Sequence, residues 1–138
     1  MPRIKKFGKA TSTAFTAETL VAPDENASGN AFVAATATSQ SILGVIRGAV
    51  ASGDSDYATA AAKRDVLIDE LGVWEFTVGT GTADTNDEQG LIDLKDEDEV
   101  NVVDSDVDVV FVTDFISGTV LRGQITLWFG WNPPQMRA

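Results

Sequence analysis

The side chains of this chain that could do chemistry are carboxylates, and most are gathered in one stretch. Of the 21 Asp and Glu residues in 138 positions, twelve lie between Asp84 and Asp114, where Lys95 is the single base. That excess of eleven acids equals the net charge of the whole chain, −11. A carboxylate cluster can hold a hard cation, run a general acid–base pair, or meet a basic partner. The segment DTNDEQGLIDLK, residues 84–95, puts Asp84, Asn86 and Glu88 at the first, third and fifth positions of a calcium loop. Its glycine, Gly90, comes one place late, and Lys95 stands where a bidentate glutamate is required. The segment therefore reads as a solvated acidic loop, and no metal is assigned to it. Asp104, Asp106 and Asp108 alternate, so on a strand they would form a row on one face. Such a row is either a wet outer face or a surface for a basic partner, because like charges side by side need water or neutralisation.

Other chemistries lack their residues. The chain has no histidine and no cysteine, which removes the commonest general base, the commonest metal ligand and every thiolate site. A Ser–His pair is impossible and no GxSxG elbow is present. Gly79-Thr80-Gly81 lacks the GK[ST] ending of a phosphate loop. A carboxylate pair for glycoside hydrolysis carries no weight in a chain with this many acids. The reading is a non-enzyme without cofactor or metal, built to bind other proteins. The acid excess would repel nucleic acid and anionic membranes, so neither is expected as a partner. No apolar run is long enough to span a bilayer, and the N-terminus lacks the pattern of a signal peptide.

The candidate partner-binding residues lie at the two ends. Arg3, Lys5, Lys6 and Lys9 make the first ten residues basic, with no acid among them. Residues 1–22 read as an extended arm with Phe7 and Phe15 as anchors; twenty extended residues would reach about 60–70 Å. At the other end, Trp128 falls on the outer face of a hairpin by alternation and Trp131 lies beyond it. Trp is favoured at interface hot spots. Equally, both indoles could fold back on the protein's own core. Pro133-Pro134 ends the strand and stiffens the tail, residues 132–138.

Between these ends, residues 23–131 read as one β domain. PDENASGN is a turn cluster. AFVAATATS, RDVLIDEL, VWEFTV and LIDL are short strands, and residues 41–51 have the apolar residues on both faces that suit a strand covered on both sides. The C-terminal hairpin is the clearest element. A three-residue turn, Ser117-Gly118-Thr119, with glycine near the left-handed region, would set Phe115 opposite Leu121, Phe111 opposite Ile125 and Val109 opposite Leu127. It would also set Asp114 opposite Arg122, whereas a two-residue turn would put Asp114 opposite Leu121 and Asp108 opposite Leu127. The expectation is an all-β, mostly antiparallel sandwich or barrel-like domain.

From Ile42 to Gln124 the chain resembles the small capsid cement or head-decoration proteins of tailed bacteriophages. The resemblance rests on SILGVIRGAV, KRDVLIDE, the loop GTGTADTNDEQGLIDL and a VT-x-x-ISGT-x-L-x-G hairpin. It implies a small β domain on the capsid surface, often a trimer, that clamps neighbouring major capsid subunits and has no active site. The arm and the Trp-rich tail lie outside the resemblance. Two other readings stand beside it: a tail-tube or head–tail joining subunit, and an acidic calcium-stabilised binding module.

Overall fold

A computed structural model describes residues 2–24 and 31–128. Short runs rich in β-branched and aromatic residues, punctuated by Gly, Ser and Asp turns, form its strands. In chain order these are β1 (Arg3–Gly8), β2 (Leu20–Pro23), β3 (Phe32–Ala34), β4 (Gly44–Ile46), β5 (Lys63–Ile68), β6 (Trp74–Thr80), β7 (Leu91–Leu94), β8 (Glu99–Asn101), β9 (Val110–Ser117) and β10 (Val120–Ile125). They divide by position in the chain. The first five form a sheet in the order β1-β5-β4-β2-β3, and the last five close into a barrel in the order β10-β6-β8-β7-β9. Within these sheets β6–β8 is the one parallel pair of strands. The all-β, mostly antiparallel, barrel-like fold is the one the sequence suggests.

Alternation decides what each strand buries. In β2, Leu20 and Ala22 join the barrel's Phe76, Leu94, Val100, Val112 and Leu121 in one core, while Val21 turns to the other side. There it meets Phe15, Phe32, Ile46, Val50 and Val66. The sheet is thus covered on both faces, by the barrel on one and by its own loops on the other. This is why residues 42–46 are apolar without alternation. Each fully buried Val, Leu, Ile or Phe contributes about 1.5–3 kcal/mol. Gly44 is required by this packing: a Cβ there would stand 2.5 Å from the Leu67 carbonyl oxygen.

The expected arm is extended, but it lies on this molecule. Residues Arg3 to Gly8 pair antiparallel with β5, Arg3 opposite Ile68 and Gly8 opposite Lys63. Beyond β1, Lys9 bridges to Phe32 and Phe15 to Val50. The Lys9 bridge brings the end of β1 to β3, so the two edges of the sheet meet there. Apolar burial of Phe15 and Leu20 outweighs the freedom of a loose terminus.

The hairpin keeps part of the expected register by another route. Phe115 faces Leu121 and Asp114 faces Arg122, as charge and core matching require. The turn itself has two residues, Gly118-Thr119, and a bulge next to Leu121 absorbs the extra one. Gly118 is not in the left-handed region; Gly81, at φ 85°, is the described glycine that is. A second irregularity beside Gly123 then shifts the pairing, so Ile125 faces Val110 and not Phe111. Gly123 permits it, since a Cβ there would lie 2.5 Å from Val110 Cγ1. The strand ends at Ile125, so the expected Val109–Leu127 pair does not form.

The aspartate row does not form either, because residues 102–109 are a loop. Asp93, buried in β7, organises it. Its carboxylate accepts the backbone N–H groups of Asp106, Val107 and Asp108 at 3.0, 2.9 and 2.8 Å. Asp108 adopts a left-handed φ of 61°, a conformation Asp tolerates better than most residues.

Candidate functional site

Three of the four N-terminal bases, Arg3, Lys5 and Lys6, stay exposed on β1, which is the outermost strand of its sheet. Among the described residues, no strand lies against Arg3 to Phe7 opposite β5. Arg3 pairs with Glu70 at 3.1 Å and Lys6 with Asp65 at 2.7 Å, both across to the neighbouring strand or its end. Lys5 stands over the Phe7 ring, 5.2 Å from its centroid. Ile4, between Arg3 and Lys5 in the chain, is 58% exposed, an apolar residue on an open edge. Cations along an edge discourage unselective strand pairing, since another basic or neutral strand gains little there.

The other candidates are taken up by the fold. Phe7 packs against the sheet's own core. Phe15 is buried edge-on to Phe32, ring centroids 5.1 Å apart. Lys9 is wholly buried; its Nζ donates to the Tyr57 carbonyl at 2.9 Å and lies 5.9 Å from the Tyr57 ring centre. Trp128, for which alternation gave the outer face and a return onto the core was an equal expectation, takes the second: it is buried because the chain leaves β10 after Ile125 and bridges Ile42. Trp131 lies outside the described residues. No run or spacing marks Lys9 as internal; only the loop carrying Tyr57 makes it so.

Beside this edge, Arg64 forks onto Asp56 with two hydrogen bonds of 2.6 Å and stands 3.6 Å from Asp54. The hydrogen bond and charge of Arg64 hold the Asp56 carboxyl below its ordinary range. The same bond pushes the Arg64 guanidinium up. This fork fixes the loop before β5, against which β1 is laid.

The acids of the barrel serve a different purpose. Asp84 caps the short 3-10 turn Thr85–Asp87 by accepting from Asn86 N–H, while Asp87 accepts from Asp84 N–H. Glu88 accepts from Phe115 N–H at 3.0 Å. The calcium-like segment thus directs its carboxylates at the backbone and not at a common point. Among the described residues, Asp96, Asp98 and Glu99 do converge, with one oxygen each within 4.8 Å of the others. Partial burial pushes Asp96 up, but N–H bonds from Asp98 and Glu99 outweigh it and hold it low. Asp98 is pushed up by desolvation and by Asp96 beside it, and Glu99 by its contact with Asp96. Lys95 lies 3.8 Å from Glu99 and donates to the Gly79 carbonyl. Three exposed or half-exposed carboxylates with one oxygen already engaged fall well short of the six to eight oxygens calcium takes.

The geometry therefore offers an open basic strand edge and an acidic barrel surface; among the described residues, Glu18, Glu75, Glu97 and Asp98 also line a small pocket between sheet and barrel, beside Leu20, Trp74 and Phe76. No protein-family model matches this chain, and neither does any curated protein or solved structure.

Proposed function

We propose that this chain is a structural virion protein that binds the surface of an assembled phage capsid and cements neighbouring major capsid subunits, using the open edge of β1. The observation that carries the reading is that edge: Arg3 to Phe7 have a strand on one side only, with Ile4 and Lys5 exposed along it. An extended segment of a capsid subunit can add to it through main-chain hydrogen bonds, with an acidic segment favoured by the flanking cations. Repetition over a lattice turns many modest contacts into firm retention, and a trimer would multiply each attachment. The acidic barrel suits the outward side, where it keeps particles apart in solution. The resemblance over residues 42–124 supports the same assignment. It carries with it no nucleic-acid, membrane or catalytic role.

Removing residues 1–20 would not test this cleanly, because Phe15 and Leu20 belong to the core. The better test is co-sedimentation with cognate expanded capsids, comparing the native chain with Ile4→Glu/Lys5→Glu. Saturable binding to assembled shells, lost in the double variant while its melting temperature holds, supports the reading. Rings or tubes formed by the protein alone, with no capsid binding, would replace it with a tail-tube or joining subunit.

A further inference from the structure

β1 is fastened to its sheet unevenly along its length. Arg3, Ile4, Lys5 and Lys6 are all exposed, Phe7 is half-buried and Gly8 is buried. Successive side chains of a strand point to opposite faces, so four exposed residues in a row leave neither face of this stretch covered. Apolar burial therefore adds almost nothing to its hold. What holds it is the backbone ladder, with Arg3 opposite Ile68 and Lys6 opposite Asp65, and two ion pairs. In those pairs the Arg3 side chain is 61% exposed and that of Lys6 69%, and ion pairs so open to water contribute little.

The chain changes character within three residues. Phe7 packs against the sheet's core. Lys9 is wholly buried; its backbone N–H donates to the Ala62 carbonyl and its Nζ to the Tyr57 carbonyl, both at 2.9 Å. The Ala10 N–H donates to the Phe32 carbonyl at 3.0 Å. On the other side, β5 stays in place without β1, because it pairs with β4 through Val66 and Leu67 and buries Val66 and Ile68. Segments with few buried apolar contacts and exposed backbone hydrogen bonds open at low free energy while the rest of a protein stays folded.

We propose that residues 3–6 form a strap that opens from β5 in the folded protein, with Phe7 and Lys9 as its fixed end, and so covers or bares the β5 edge over residues 65–68. Closed, the strap shields backbone groups that would otherwise form a bare edge. Open, it leaves both that edge and a cationic segment free to pair. The proposal is independent of capsid binding.

Limited trypsin digestion of the full chain tests it, because cutting at a locally open site follows the population of the open form. Cleavage after Lys5 should outpace cleavage after Lys9 by about tenfold or more. Low urea should leave the first rate nearly unchanged and raise the second, since opening the strap exposes little surface. The chain has no cysteine, so Lys6→Cys/Asp65→Cys gives one defined cross-link between directly opposed residues. Oxidation should slow cleavage after Lys5 by about tenfold or more, and reduction should restore it, because the cross-link ties the strap to β5 and leaves its outer edge untouched. Equal rates after Lys5 and Lys9 in the native chain overturn the proposal, for the strap would then leave β5 only with global unfolding. Cleavage after Lys5 that persists in the oxidised variant also overturns it, with the closed strand itself as the substrate.

Discussion

The two halves of the molecule hold their charges in opposite ways. Residues 1–68, which contain the five-stranded sheet, have seven bases against six acids; residues 69–138, which contain the barrel, have three bases against fifteen acids. The sheet pairs charge with charge: Lys6 with Asp65, Arg47 with Glu18, and Arg64 with Asp54 and Asp56. The barrel has too few cations for that. Its carboxylates accept backbone N–H groups, as Asp93, Asp84, Asp96 and Glu88 do, and so close the loops between strands. An acid-rich half can thus remain ordered without cations if its acids replace missing loop hydrogen bonds.

The contrast can be broken at its strongest points first. Phe32→Ala removes a buried ring from the sheet core and should cost about 3–5 kcal/mol, read by urea unfolding. The barrel counterpart is Asp93→Ala, which strands three N–H groups and should cost about 2–4 kcal/mol. Hydrogen exchange should accelerate at Asp106 to Asp108 in that variant; unchanged exchange there would mean the loop is held otherwise.

Salt should separate the halves next. Raising NaCl from about 0.05 M to about 1 M shortens the screening length to roughly 3 Å. The melting temperature should rise, because repulsion in the barrel outweighs the exposed ion pairs of the sheet. A fall would mean the ion pairs dominate. Arg64→Met should cost a smaller amount and alter the acid limb. The Asp56 carboxyl is held low, so its contribution is present above the ordinary carboxylate range and is lost as pH falls through its lowered value. In Arg64→Met that part of the acid-induced loss should shrink. Smallest of all, Asp98→Asn with Glu99→Gln should stabilise the protein slightly at pH 7. Both groups are pushed up, so their ionised forms oppose folding, and the gain should vanish as pH falls into the ordinary carboxylate range.

Much of the barrel was legible because its alternation is strong. Trp74, Phe76 and Val78 against Glu75 and Thr77 define β6, and matching Asp114 to Arg122 fixes the start of the hairpin. The shift at Gly123 was not legible, since it depends on how closely β9 approaches a residue without a Cβ. The sheet was harder to read. Arg3, Lys5 and Phe7 alternate with Ile4, Lys6 and Gly8, so neither face is clearly apolar, and the pairing partner lies far along the chain. The open edge could be placed only once β5 was seen beside β1. Asp104, Asp106 and Asp108 misled because the carboxylate that shapes their loop, Asp93, sits eleven residues upstream of the first of them.

The pairing of β1 with β5 has a consequence for how the chain acquires its structure. Arg3 must wait for Ile68, so β1 leaves the ribosome well before its partner β5 and is expected to be seated late. Closing so long a loop carries an entropic cost that local hairpins such as β9–β10 avoid, which predicts early hairpin formation and late sheet closure. During that interval the strand's own cations, repelling their like on other nascent chains, would guard it against premature pairing.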